Sequence, residues 1–163
     1  MTLTTHALIG VSTASFFPKY PLLAFGAAFL SHFIIDAIPH WDYPIKSLQQ
    51  NMDNPLESKI ISNSAFVTDL IRIGFDFLLG ITLSFLIFRP ENPLLGQTVF
   101  MGAIGGILPD PLQFLYWKIK KEPLISLQRF HIWIHAKTDL KDKPIKGIIF
   151  QIVLVAVVIY LVI

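Results

Sequence analysis

From Lys146 to Ile163 the chain is apolar, and past the flanking lysine its only ionisable side chain is Tyr160. Such a run must satisfy its backbone internally, which makes it a helix buried in protein or in lipid. Four further apolar runs precede it: Thr2 to Phe17, Leu22 to Ile38, about Phe66 to Phe88 and about Leu94 to Lys118. Turn-forming segments separate them, Pro18-Lys19-Tyr20-Pro21 and Arg89-Pro90-Glu91-Asn92-Pro93 among them. The first run is short for a span of about 20 residues. It carries no Lys or Arg, which argues against a cleaved signal peptide. Ala24, Gly26, Ala27 and Ala28 in the second run permit close approach and suggest a tight hairpin of the first two spans.

Composition agrees with membrane burial. The 163 residues are 53% hydrophobic and only 15% charged, with a mean hydropathy of +0.61, which leaves too little polar surface for a soluble domain. The expected fold is all-α: one integral membrane domain over 1–163, a polytopic bundle of about five transmembrane helices with an interfacial helix in the 118–146 loop. Pro123 would open that helix, and Leu124, Leu127, Phe130 and Trp133 would face the membrane. The segment from His40 to about Ala65 reads as a polar surface loop. Pro109 and Pro111 bracket Asp110 and predict a broken or kinked helix there. A net charge of +2 gives no reason to invoke nucleic acid, and membrane lipid is the expected partner. The basic residues concentrate in the 40–65 and 118–146 loops, so the positive-inside rule puts these on the cytoplasmic side of a prokaryotic inner membrane.

Chemistry concentrates in Ser31 to Asp42, SHFIIDAIPHWD, where two histidines and two carboxylates end an apolar run. His32, Asp36 and His40 are spaced by four, which on a helix places neighbours one turn apart on one face. Pro39 ends or kinks the helix, leaving His40 and Asp42 on a turn beyond it. An alternative is the polar end of a membrane helix, with His40 and Trp41 at the interface. On the five-span map His6, His32, Asp36, Asp69, Asp76 and Asp110 all fall in the same leaflet, beside the loop that holds His131 and His135. Buried ionisable groups are costly in lipid and need partners, so convergence of this kind argues for one shared site. Without cysteine the ligands must be imidazole and carboxylate, which favours zinc, with manganese, iron or magnesium as alternatives. The metal candidates are His6, His32, Asp36, His40, Asp110, His131 and His135. Asp36 and Asp76 are candidate general bases. Asp139, four residues beyond His135, is a candidate to orient it. Asp69, Arg72 and Asp76 also fit a structural charge network.

THALIG at Thr5–Gly10, SHFIIDAIPHWD, and GAIGGILPD at Gly102–Asp110 together resemble the membrane-bound, metal-dependent hydrolase family. That family is also described as YdjM-like or LexA-binding and inner-membrane-associated, and is distantly similar to zinc-dependent phospholipase C. The resemblance implies metal ligands at His6, His32, Asp36 and Asp110. Its usual PD-x-D is PDPL here, the PD motif follows the histidine–aspartate helix rather than preceding it, and the HRG…THS segment is absent. The function expected is hydrolysis of a phosphoester of a lipid or other amphiphile at the cytoplasmic leaflet. The alternatives are a non-enzymatic metal or proton carrier using the same ligands, a bis-histidine haem protein, which the many carboxylates make a poorer fit, and a structural membrane protein.

Overall fold

The computed structural model describes residues 1–137, 140 and 142–163. Seven α-helices account for most of these residues: α1 (Leu3–Ala14), α2 (Pro21–Asp36), α3 (Ser64–Phe88), α4 (Pro93–Ile107), α5 (Pro109–Ile119), α6 (Leu124–Ile134) and α7 (Pro144–Val162). Proline opens α2, α4, α5 and α7, where its missing N–H would have had no helical partner. The side chains of Thr2, Asn63 and Asn92 accept from backbone amides at the starts of α1, α3 and α4. Between α2 and α3 the segment read as a polar loop with room for one helical turn holds a 3₁₀ turn at Pro55–Glu57 and, around it, a short antiparallel pair, β1 (Leu48–Gln49) with β2 (Lys59–Ile60).

Among the described residues two helices, α3 and α7, are long and apolar enough to cross a membrane, and α4 with α5 makes a third if that pair, bent by 44°, is counted as one span. The bend falls at Leu108–Pro109, where the PDP motif leads the sequence to break. At 12 residues, α1 is only about 18 Å long, and it is the most enclosed helix of the bundle. Leu3, Ala7 and Val11 on α1 pack with Val99, Ala103 and Ile107 of α4 and with Ile73, Phe77 and Ile81 of α3. On the other flank, Met1, Ile9 and Ile35 meet Leu154, Val155 and Val158 of α7.

Glycines set how closely these helices lie. A Cβ on Gly106 would stand 2.2 Å from the His6 carbonyl oxygen, and one on Gly10 would stand 2.4 Å from that of Gly102. A Cβ on Gly105 would meet the Phe25 carbonyl at 2.5 Å. The tightest approaches are therefore of α1 and α2 onto α4, with the GAIGGI run as the common seat. The small residues of α2 serve that seat: Ala28 meets Gly105, while Gly26 has no neighbour within 4 Å.

Polarity is inverted relative to a soluble bundle. His6, His32, Asp36, Asp69, Gln128, His131 and Gln151 are buried, whereas Leu22, Ile34, Phe75 and Leu161 are exposed. Trp133 of α6 is 74% exposed and Phe130 41%, whereas Leu124 and Leu127, expected on the same face, are half-buried.

Candidate metal centre

Asp36 lies at the middle of a knot of imidazoles. It is the last residue of α2 and is 1% exposed. Its Oδ2 is 2.9 Å from His131 Nε2 and 3.1 Å from His32 Nε2. Its Oδ1 is 3.3 Å from His6 Nε2 and 3.7 Å from His40 Nε2. Asp110, in the first turn of α5, approaches from the break: Oδ1 is 3.7 Å from His32 Nε2 and Oδ2 is 3.8 Å from His6 Nε2. His6 and His32 stack with ring centroids 3.8 Å apart.

The sequence folds this way for local reasons. The α1–α4 glycine contact at Gly106 lays the His6 backbone against α4. His32 Nδ1 bonds the Gly106 carbonyl at 2.8 Å. Beyond Pro39 the chain is extended, and His40 Nδ1 bonds the Ile38 carbonyl at 2.7 Å. The segment after α6 is stapled to the same strip: Ala136 N–H donates to the Asp36 carbonyl at 2.8 Å and Leu140 N–H to that of His40 at 3.0 Å. This brings His135, whose Nδ1 faces the Ala136 carbonyl at 3.2 Å, over the His40 ring.

A carbonyl only accepts, so Nδ1 of His32, His40 and His135 carries the proton, and in the neutral ring Nε2 is a bare lone pair. Those lone pairs point at carboxylate oxygens. Among the described residues, Nε2 of His6, His32 and His40 are buried without a hydrogen-bond partner, as is Nδ1 of His6. Lone pair against anion is repulsive in a site this dry, and it becomes attractive when a cation lies between. The donor spacing suits one: four donors held about 2.1 Å from a tetrahedral ion stand about 3.4 Å apart. One ligand atom each from His32, Asp36, Asp110 and His131 lie within 4.8 Å of one another, as do those of Asp36, His40 and His135. Nδ1 bonds to backbone carbonyls are also the usual outer support of metal-ligating histidines.

The structure thus brings together His6, His32, Asp36, His40, Asp110, His131 and His135 in one place. Asp76 does not join them, and this corrects its assignment as a general base. Its carboxylate accepts from Leu3 N–H at 2.7 Å, Thr4 N–H at 3.1 Å and the Thr4 hydroxyl at 2.6 Å, so α3 caps the start of α1. Asp69 and Arg72 also reach outward rather than to each other: Asp69 accepts from Ser47 N–H at 2.7 Å, and Arg72 donates to the Pro44 carbonyl at 2.9 Å. Asp139 lies outside the described residues.

Sequence reasoning placed Asp42 only at the rim, yet its Oδ2 is 3.3 Å from His40 Nε2. Gln151 was missed because it is a lone polar residue in an apolar run. Its amide donates to the Trp41 carbonyl at 2.7 Å and accepts from Thr2 N–H at 3.1 Å, tying α7 to the edge of the centre. A Cβ on Gly147 would collide with Trp41 at 2.2 Å, so α7 needs glycine there to let the loop pass.

The centre opens into a cleft of about 820 Å³. Asp36, Asp42, Asp110, His131 and His135 line its polar end, while Leu48, Leu70, Ile73, Phe114, Trp117 and Ile132 form apolar walls, with Lys137 at the edge. Burial lifts the Tyr43 phenol, which also lines the cleft, above its ordinary value, and the Asp76 carboxylate facing it adds to the shift. Comparison with protein-family models, curated proteins and solved structures gives no match to this chain.

Proposed function

We propose that this protein is a membrane-embedded, metal-dependent hydrolase that cleaves a phosphoester of a lipid or other amphiphile within one leaflet. The observation that carries the reading is the pair of buried Nε2 lone pairs of His32 and His40 turned toward the carboxylates of Asp36 and Asp110, with the unpartnered His6 Nε2 beside them. His32, Asp36, Asp110 and His131 would hold the ion, with His6 beside them. Zinc suits this donor set, and manganese, iron or magnesium are the alternatives. When bound, such an ion lowers the pKa of water and polarises a phosphoryl oxygen.

The protein's own groups supply the rest. Asp36 is sealed and ringed by imidazoles, so it orients rather than exchanges protons. Asp110, with its side chain 26% exposed, borders the cleft; it would hold the ion through one oxygen and take a proton from an attacking water with the other. The general-base role expected of Asp36 or Asp76 passes to it. The apolar walls match acyl chains, and Lys137 at the cleft edge matches an anionic head group. The inverted polarity of the bundle and its long apolar helices support a multi-pass inner-membrane location with the 40–65 and 118–146 loops in the cytoplasm. Behind the centre, α1 and α4 are in glycine contact at Gly10 and Gly102, which closes the floor and weighs against a carrier.

The test is hydrolysis of phosphatidic acid and phosphatidylglycerol vesicles by purified protein, stripped by chelator and reloaded with zinc or manganese. Release of phosphate or of a phosphorylated head group by the reloaded protein is expected, and Asp110→Asn should slow it about 100-fold or more. A metal-loaded protein that hydrolyses no phosphoester would sink the hydrolase reading.

A further inference from the structure

We propose that the cluster holds two metal ions rather than one, with Asp36 bridging them through its separate oxygens and with His40, His135 and Asp42 completing the second position. This rests on reading the cluster as a metal centre, and it goes beyond the ligands that sequence resemblance implies.

The two oxygens of Asp36 face different partners. Oδ2 looks toward His32 and His131, at 3.1 and 2.9 Å, which with Asp110 make the inner position. Oδ1 lies between the two positions, 3.3 Å from His6 Nε2 and 3.7 Å from His40 Nε2. His40 Nε2 is in turn 3.3 Å from Asp42 Oδ2, and His135 Nε2 is 3.9 Å from the same oxygen. These separations bracket the edge of about 3.4 Å expected between donors around one tetrahedral ion. They belong to a set of atoms distinct from the inner one except for the shared carboxylate.

His40 supplies the independent sign of a ligand. It is 1% exposed, its Nδ1 is committed to the Ile38 carbonyl, and its Nε2 has no hydrogen-bond partner. Nothing in the inner position needs it, since Asp110 and His131 already oppose His32 there. The bonds from Ala136 N–H to the Asp36 carbonyl and from Leu140 N–H to the His40 carbonyl hold His135 across from it. Side chains of His135 and Asp42 are 32% and 31% exposed, so the outer position opens to the cleft and should exchange its ion faster than the inner one. Two ions sharing a carboxylate, about 4 Å apart, is the arrangement that clamps both the attacking and the leaving oxygen of a phosphoester.

A rival occupant of the outer slot is visible. The amino group of Met1 lies 2.8 Å from Asp42 Oδ1 and 3.3 Å from Asp36 Oδ1. An ammonium there neutralises the same two carboxylates and would leave a single ion in the centre.

The experiment titrates chelator-stripped protein in detergent with Mn²⁺, reading stoichiometry by metal analysis and coupling by electron paramagnetic resonance. About two ions per chain with an exchange-coupled spectrum are expected for the wild type. The pair His135→Ala and Asp42→Asn should bind about one ion with an uncoupled six-line spectrum, at unchanged helical circular dichroism. A wild type that binds one ion with an uncoupled spectrum overturns the second position and leaves the inner one standing. Retention of two coupled ions by the double variant overturns the assignment of these residues. Should the double variant fail to fold, the wild-type stoichiometry and coupling decide by themselves. A wild type that binds no ion overturns the metal centre as well.

Discussion

Charge enters the apolar helices in two regions, and the structure resolves them in opposite ways. At the end of α2, Asp36 faces the Nε2 atoms of His32 and His40, which cannot donate to it once their other nitrogen is committed to a carbonyl, while His131 Nε2 and the Met1 ammonium are in hydrogen-bond reach of its two oxygens. In the first half of α3, Asp69 and Asp76 face backbone N–H groups that donate without conditions. Both regions carry ionisable residues at helical spacing, 32/36/40 in one and 69/72/76 in the other. The difference lies in the partners. A carboxylate met by amides is a finished structural joint, whereas a carboxylate met by lone pairs is incomplete without a cation.

That contrast can be broken or sharpened by mutation. The largest effect is expected from Asp36→Asn, which should lower metal affinity by more than about 100-fold, beyond what loss of a supporting group alone does. Metal analysis after dialysis reads it, and a variant that keeps its metal would remove Asp36 from the centre. Asp76→Asn should do the reverse. It loses charge-assisted bonds to the start of α1 and should cost about 2–3 kcal/mol of stability, seen as a lower Tm in detergent, with metal stoichiometry per folded chain unchanged. Loss of metal from a folded Asp76→Asn protein would erase the distinction between the regions.

Gly106→Ala probes the seat beneath both. Its Cβ would stand 2.2 Å from the His6 carbonyl oxygen, so α1 must shift, at about 1–3 kcal/mol. Metal affinity should fall with it, because the His32 acceptor moves too. The smallest effect concerns protons. Burial holds the His135 imidazole below its ordinary 6.5. Below that pH the unfolded chain binds a proton there that the folded chain resists, so stability falls as pH drops through the imidazole range. In chelator, Tm measured between pH 7 and pH 5 should decline slightly less in His135→Asn than in wild type. An identical decline would exclude His135 as a contributor.

Much of this was legible in the residues. The break at Asp110 follows from two prolines, the end of α2 from Pro39, and the outward face of α6 from Phe130 and Trp133. Convergence of His6, His32, Asp36 and Asp110 could be reasoned from where each sits along its run, because depth along a helix is a count of residues. Rotation about the helix axis is not such a count for α3. Asp76 was assigned to chemistry because its depth fitted, yet α3 turns it toward the start of α1. Gln151 carried no signal at all, since one amide in an apolar run has no spacing to read.

The sequence by itself determined an all-α chain rich in apolar helices, where that chain breaks, and which residue types could meet at one level. Those are local properties, set by backbone satisfaction, proline geometry and helical rise. Only the tertiary structure decided which carboxylate meets lone pairs and which meets amides. That depends on how closely α1 and α2 seat on the glycines of α4, and on the backbone bonds from Ala136 to Asp36 and from Leu140 to His40. Such contacts join residues about a hundred positions apart, and no period in the sequence encodes them.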